Sequence, residues 1–188
     1  MKMNKKFLAI VTNDSKKYLA FLQFEKKLSN NTIKAYLKDL EFYIKYILDT
    51  HSISSYNQIK SNHIADYISS YSEISGNVIE SSTINRFISS IKGFHKYLIT
   101  NELCNRDPSK NISSLKTTSK LPDVLTYNQI KSIIYNVSSK KKHFKRDISI
   151  ISLFYSSGLR VSELINLNLS TLILEEDILR IIGKGNKE

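Results

Sequence analysis

The sequence predicts a mainly α-helical fold, in which a bundle of four to five helices is followed by a smaller α+β part. Apolar residues recur at helical spacing in four successive segments before Pro108. Two more helical patterns follow residue 125, and apolar runs then flank an acidic turn near residue 176, as in a β-hairpin. With 188 residues and 41% hydrophobic residues, the chain can form one domain with a real core or two small ones.

The first two helices are each predicted from a polar cap and an apolar stripe. Asp14 or Ser15 is expected to cap the first helix. A cap at residue 30 or 31 is expected to begin the second, whose apolar residues lie on one broad face. Lysines lie off that face, at Lys34, Lys38 and Lys45. The apolar face indicates core, and the lysines are the candidates for binding an anion.

Two further helices complete the predicted bundle. Ser61 begins the third, and residues 72–82 form a loop. The fourth runs from about Thr83 to Thr100, with a core stripe on one side. A polar row on the other side recurs at spacings of four, three and four: Asn85, Ser89, Lys92 and Lys96. This row can lie along a DNA groove or be an ordinary solvated helix face, and the pattern alone leaves both open.

A polar, basic stretch separates the bundle from the second part. Asp107-Pro108 ends the bundle, and Lys116 and Lys120 lie in the stretch that follows. Thr126 and Gln129 have the spacing of a capping box and begin a helix.

The segment around Arg160 has the pattern of a helix end followed by a new helix. A helix from Asp147 to Ser157 is expected to exit through a left-handed residue at Gly158. A new helix starts near Ser162, so Arg160 lies on the connector, where backbone N–H groups favour an anion. Strands at 172–174 and 178–182 then lead to Lys184 in a glycine-flanked turn.

Charge and composition narrow the class of partner. Lysine and arginine number 28 against 17 acidic residues, which gives a formal net charge of +11. This charge favours a polyanionic binding partner, although a biased base composition of the coding DNA can also enrich lysine. A lone Cys104 excludes an intrachain disulfide, and a catalytic pair of Cys104 with His95 is disfavoured against simple packing. The histidines show no ligand spacing, so no metal site is predicted, and no cofactor is expected. With no secretion signal or membrane span in the sequence, a cytoplasmic location is expected.

Two motifs together are more specific than either alone. The segment SGLRVSEL contains Arg160, and IIGKGNKE places Lys184 twenty-four positions later. This pair resembles the tyrosine recombinases of the phage integrase family, most closely the Xer type that resolves chromosome dimers. In that family the motifs hold the first catalytic arginine and the catalytic lysine. The likeness extends backwards through residues 146–147, 121–126 and the N-terminal helices, so it covers nearly the whole chain.

The resemblance implies a division of the chain and a DNA-binding surface. Residues 1–108 would be a SAM-like core-binding bundle, 109–124 a basic linker that crosses the DNA, and 125–188 the first part of a catalytic domain. In the family, the second and fourth helices approach the major groove of duplex DNA carrying an inverted-repeat site. The implied DNA contacts are Lys34, Lys38, Arg86, Ser89, Lys92, Lys96, Lys116 and Lys120.

The resemblance also implies a chemistry, which is strand exchange through a 3′-phosphotyrosyl intermediate without a cofactor. Arg160 would clamp the non-bridging phosphate oxygens, and Lys184 would protonate the leaving 5′ oxygen. Glu163, one helical turn after Arg160, is expected to cap or orient that helix rather than react. Tyr155 is expected to pack in a core and is not assigned as the nucleophile.

The family pattern continues after the lysine with a histidine, a second arginine, a further histidine or tryptophan, and the tyrosine nucleophile. None of these follows Lys184 here, so we expect the 188-residue chain to cleave no DNA by itself. Full-length members of the family assemble as tetramers on DNA, but their exchange helix is absent here, so stable tetramers are not expected. A homologous recombinase subunit is a candidate partner. The alternatives are a stand-alone module that occupies recombination sites without chemistry and a basic protein-interaction module.

Overall fold

The computed structural model describes residues 5–74, 80–116, 123–137, 142–181 and 183. The chain divides into two compact units, Met1–Ser119 and Lys120–Glu188. Helices dominate the described parts of both units, and a two-stranded antiparallel sheet lies in the second. The predicted mainly α fold is therefore confirmed.

The first unit is a helical bundle. Its helices are α1 (Lys5–Phe24), α2 (Asn30–Thr50), α3 (Ser61–Ile74) and α4 (Ser81–Thr100), with a 3₁₀ turn at Tyr56–Gln58. Packing of α2 against α4 and α1 forms most of the core, whose most buried large side chains are Tyr18, Tyr43, Phe94, Leu40, Ile64, Ile91 and Leu98.

Helix α1 begins well before its predicted cap, so the capping prediction for Asp14 and Ser15 is wrong. Both residues lie in mid-helix and are buried, and Asp14 accepts a hydrogen bond from Tyr56 Oη at 3.0 Å. The reason is that Phe7 and Val11 continue the apolar stripe into the core, at 4% and 3% exposure. Burying two such side chains contributes about 3–6 kcal/mol, whereas a cap contributes about 1 kcal/mol.

The second helix is capped one residue before the predicted position. Ser29, in extended conformation, accepts a hydrogen bond from the Thr32 N–H at 3.3 Å, and Asn30 is already helical. Ser61 begins α3 as predicted, and α4 begins at Ser81, two residues before Thr83.

Helices α1 and α4 approach closely at Gly93. A Cβ at this position would overlap the Tyr18 hydroxyl, so the absence of a side chain lets the buried Tyr18 ring lie against the α4 backbone. Tyr18 also meets Phe94 edge-on at 5.6 Å between ring centroids.

The second unit contains α5 (Tyr127–Asn136), α6 (Phe144–Ser157), α7 (Val161–Ile165), β1 (Leu172–Ile173) and β2 (Ile178–Leu179), with 3₁₀ turns at Leu169–Thr171 and Leu174–Glu176. The predicted capping box is confirmed, since the Gln129 N–H donates to Thr126 Oγ1 and Gln129 Oε1 accepts from the Thr126 N–H. The strands pair with Leu172 opposite Leu179 and Ile173 opposite Ile178, and are shorter than predicted.

Tyr155 is 51% exposed, so the prediction that it packs in a core is wrong. Helical spacing identified an apolar face, but spacing does not decide whether another element covers it. Among the described residues of this unit, only Leu159 is a buried apolar residue. None of the described helices is long and apolar enough to cross a membrane.

Candidate functional site

The connector between α6 and α7 presents Arg160. Gly158 ends α6 in the left-handed conformation, with φ of 63°, and turns the chain toward α7. Arg160 follows in extended conformation as the N-cap residue of α7. Its side chain is 72% exposed. The backbone therefore places a guanidinium at the surface, on the connector expected from the sequence.

Glu163 holds Arg160 at two points. One carboxylate oxygen accepts from the Arg160 backbone N–H at 2.8 Å, and the other accepts from Arg160 Nη1 at 2.7 Å. These two bonds lower the pKa of Glu163, the backbone N–H contributing more than the guanidinium. Glu163 therefore stays ionised, and it fixes both the first turn of α7 and one edge of the guanidinium.

Lys184 lies outside the described residues, so no geometry relates it to Arg160. The pairing of β1 with β2 continues with the Arg180 N–H, which donates to the Thr171 carbonyl at 2.9 Å. The hairpin thus leads the chain toward Gly183, the residue just before Lys184.

Most of the residues implied as DNA contacts in the first unit lie on the surfaces of α2 and α4. Lys34 and Lys38 are exposed on α2, and Lys38 Nζ lies 5.9 Å from the centre of the Phe42 ring. On α4, Ser89 and Lys96 are exposed and Lys92 is partly buried. Lys116 is exposed, whereas Lys120 lies outside the described residues.

Arg86 differs from the lysines because its guanidinium is paired with a buried carboxylate of the bundle. Its Nη1 lies 2.7 and 2.6 Å from the two carboxylate oxygens of Asp39 and 3.3 Å from the Ala35 carbonyl oxygen. The side chain of Asp39 is 2% exposed and that of Arg86 is 38% exposed. Burial raises the pKa of Asp39, and the Arg86 charge opposes that rise. The pair joins α2 to α4.

Asn85, the first residue of the polar row on α4, pairs with the backbone of the segment that follows α4 in the first unit. Its amide donates to the Leu115 carbonyl at 2.9 Å and accepts from the Leu115 N–H at 2.7 Å. The sequence pattern did not reveal this pairing, because no feature of the row distinguishes Asn85 from a solvated residue. Asp39 did carry a signal, since a carboxylate on an apolar helix face needs a buried partner.

The alternative pair of Cys104 with His95 is not formed. Nε2 of His95 lies 2.8 Å from Tyr43 Oη, and burial lowers the pKa of His95 to about 4. Cys104 Sγ instead donates to the Arg106 carbonyl, and burial raises the pKa of the thiol. A raised pKa disfavours the thiolate that a nucleophile requires.

Metal binding finds no support in the part of the chain that is described, where no group of three or more histidine, cysteine or acidic side chains converges. His51 and His63, which lack ligand spacing in the sequence, stack with ring centroids 4.0 Å apart.

Models of known families match both units. The N-terminal SAM-like domain of phage integrases matches residues 16–102, and the phage integrase family matches residues 123–188. Three curated relatives named tyrosine recombinase XerD are similar over most of the chain. The protein of Staphylococcus aureus is 37% identical over 171 residues, which are 91% of this chain and 57% of the relative.

The relative from Oceanobacillus iheyensis is 34% identical over 171 residues, which are 91% of this chain and 56% of the relative's length. The relative from Halalkalibacterium halodurans is 34% identical over 178 residues, which are 95% of this chain and 58% of the relative's length. The chain thus spans little more than half the length of these relatives. Residues 82–397 of the Tn1549 transposon integrase, solved with circular intermediate DNA, have a TM-score of 0.65 at 18% identity, covering 92% of this chain and 56% of that one. This likeness concerns the fold.

Proposed function

Since the chain belongs to the phage integrase family of tyrosine recombinases, we propose that it functions in site-specific DNA recombination. The bundle and the connector bind duplex DNA at an inverted-repeat site. The second unit supplies the first catalytic groups for strand exchange through a 3′-phosphotyrosyl link. The names of the curated relatives and the DNA bound to the Tn1549 integrase support this assignment. A homologous recombinase subunit is the proposed protein partner on that DNA.

The observation that carries the proposal is the presentation of Arg160. A planar guanidinium donates parallel hydrogen bonds to two oxygens of a phosphate. Glu163 already holds Nη1 and the backbone N–H of Arg160, while the side chain stays 72% exposed. Part of the orientation is therefore set before DNA arrives. Preorganised donors of this kind stabilise the charge that gathers on the phosphate oxygens as the phosphorus is attacked.

The reaction needs a proton at the leaving group, and we assign that role to Lys184. A tyrosine phenolate oxygen forms a bond to phosphorus, the bond from phosphorus to the 5′ oxygen breaks, and Lys184 donates a proton to that oxygen. One phosphodiester is exchanged for another, so no external energy source is required. The tyrosine is not assigned to a residue of this chain.

Binding of DNA is assigned to the first unit and the connector. Exposed Lys34, Lys38 and Lys96, with the partly buried Lys92, can neutralise phosphates, and the formal net charge of +11 supports this assignment. Arg86 is proposed to contribute to this face chiefly through its pairing with Asp39, which joins the two helices that carry these lysines.

Cleavage tests the proposed chemistry. Residues 1–188 are fused to the C-terminal segment of the S. aureus relative and incubated with a nicked suicide duplex, so that a covalent protein–DNA adduct accumulates. Arg160→Ala is expected to slow adduct formation by roughly a hundredfold to a thousandfold, while the Kd for DNA changes little. Adduct formation at the wild-type rate in this variant would remove Arg160 from the mechanism.

Binding measurements on the 188-residue chain test whether it recognises duplex DNA with an inverted repeat. Its Kd for a labelled inverted-repeat duplex is compared with that for a scrambled duplex of equal length, from 50 to 200 mM salt (about the range over which phosphate contacts weaken). Preference for the repeat supports site recognition by the bundle. Equal and steeply salt-dependent binding to both duplexes would show only a basic surface, and no binding to either would refute the assignment of DNA.

A further inference from the structure

The connector that follows α4 is fastened to the bundle at successive points. The Asn105 N–H donates to Asn57 Oδ1 at 2.8 Å, and the Pro108 carbonyl accepts from Ser61 Oγ at 2.7 Å. Further along, Ile112 packs against the core. The last described anchor is Asn85, which pairs with both backbone groups of Leu115. Residues 105–115 therefore form a strap across the bundle rather than a free linker.

The contact of Asn85 differs in kind from the other hydrogen bonds of the polar row. Ser89 donates to a carbonyl of its own helix, four residues back. Asn85 donates and accepts at once, to a residue thirty positions away. A side-chain amide that meets both the N–H and the C=O of one residue fixes its backbone in position and in direction, as a neighbouring β-strand would.

The position of this contact decides where the next residue lies. Lys116 is joined to Leu115 by one peptide bond, and its side chain is exposed. It therefore begins beside Asn85, at the N-terminal end of the row that continues through Ser89, Lys92 and Lys96. From residue 85 to residue 96 an α-helix rises roughly 16 Å. The polar row of α4 thus extends over about three helical turns, and the backbone of Lys116 begins at the N-terminal end of that row.

We propose that Asn85 is a positioning residue for DNA binding: its two hydrogen bonds hold the connector on α4 so that Lys116 joins Lys92 and Lys96 on one phosphate-binding surface. The proposal rests on the proposed binding of duplex DNA and deepens it. Asn85 itself need not touch DNA. Without the contact, Lys116 retains its charge but must be ordered when DNA binds, and that ordering lowers the affinity.

A double-mutant cycle on the 188-residue chain tests this role. The Kd for duplex DNA is measured by fluorescence anisotropy for the wild type, Asn85→Ala, Lys116→Ala and the double variant. Each single variant is expected to weaken binding by up to roughly tenfold, and Lys116→Ala to reduce the slope of log K against log[salt] by about 0.9. In the double variant the loss should be no larger than that of Lys116→Ala alone.

Asn57→Ala is the matched control, because it removes a side-chain hydrogen bond to Asn105, at the other end of the same strap from Leu115. It should leave the Kd and the salt slope unchanged. Amide hydrogen exchange gives a readout that does not involve DNA: exchange of the Leu115 N–H should accelerate in Asn85→Ala and remain slow in Asn57→Ala.

The outcomes separate the two proposals. Losses that add in the double variant, or an equal loss of affinity in Asn57→Ala, would overturn the positioning role while leaving DNA binding intact. Unchanged exchange of the Leu115 N–H in Asn85→Ala would overturn it as well. A wild-type chain that binds no duplex would instead refute the proposed function, and this inference with it.

Discussion

Removing Arg86 should destabilise the bundle because it leaves a buried carboxylate without a partner. Asp39 is 2% exposed, and both of its oxygens lie within 2.7 Å of Arg86 Nη1. Breaking a buried ion pair on one side typically costs about 3–5 kcal/mol. Arg86 is 38% exposed, so water can replace part of its contact. We therefore expect Arg86→Ala to lower the free energy of unfolding by about 2–3 kcal/mol.

The pH dependence of that loss identifies its cause. Without Arg86, burial raises the pKa of Asp39 further above its unfolded value of about 3.9, because only the weaker effect of the Lys38 charge then opposes the rise. A raised pKa in the folded state means that the folded protein holds the proton more tightly than the unfolded chain. The free energy of unfolding therefore falls as the pH rises from the unfolded pKa of Asp39 to its folded pKa. The deficit of Arg86→Ala relative to the wild type should accordingly be larger at pH 7 than at pH 4.

Urea denaturation followed by far-UV circular dichroism at both pH values measures this. Asp39→Asn combined with Arg86→Ala is the control, since it removes the carboxylate charge and should recover part of the stability at pH 7. A loss below about 0.5 kcal/mol in Arg86→Ala, which is the usual range of an exposed substitution, would refute the reasoning. So would a deficit that does not depend on pH.

Three further changes test the packing and the connector. Gly93→Ala should cost about 1–3 kcal/mol of unfolding free energy through overlap with the Tyr18 hydroxyl. Adding Tyr18→Phe to this variant should relieve most of that cost. An unaffected urea midpoint in Gly93→Ala would contradict the overlap. Gly158→Ala, at φ of 63° with open space around it, should cost about 1–2 kcal/mol, and Gly158→Asn less; equal midpoints for the two would argue against a conformational cause. His95 has a pKa of about 4 when folded against about 6.5 unfolded, so the unfolded state binds more protons between these values and up to about 3 kcal/mol of stability should disappear as the pH falls from 6.5 to 4. His95→Gln should flatten that part of the profile, and an unchanged slope would assign it to other groups.

The helix prediction succeeded where one dominant interaction decides the outcome. The box of Thr126 with Gln129 and the left-handed exit at Gly158 are properties of a few consecutive residues, so their sequence pattern was sufficient. The start of α1 was missed because two signals competed. The burial of Phe7 and Val11 stabilises an earlier helix start more than a cap at Asp14 would. That burial depends on which other parts of the chain pack against the two side chains.

The candidate site divides in the same way. The motif placed Arg160 on the connector, and its spacing of three residues to Glu163 brings those two side chains together. Lys184 was found by its motif, and its distance from Arg160 stays a prediction. The pairing of Arg86 with Asp39 was missed, because the basic residues of a helix look alike in a sequence, and only the neighbouring helix distinguishes a bound cation from a solvated one.

The sequence by itself determined the order and type of the helices, the turn that presents Arg160, and the likeness to a family. All of these follow from residues within a few positions of one another, or from the likeness of whole motifs to those of a family. Only the tertiary structure decided which polar side chains pair across long separations in the sequence. Asn85 with Leu115, Arg86 with Asp39 and Tyr43 with His95 are separated by 30, 47 and 52 residues. Contacts at such separations depend on how the helices pack, and packing sums many weak apolar contacts that no short pattern records.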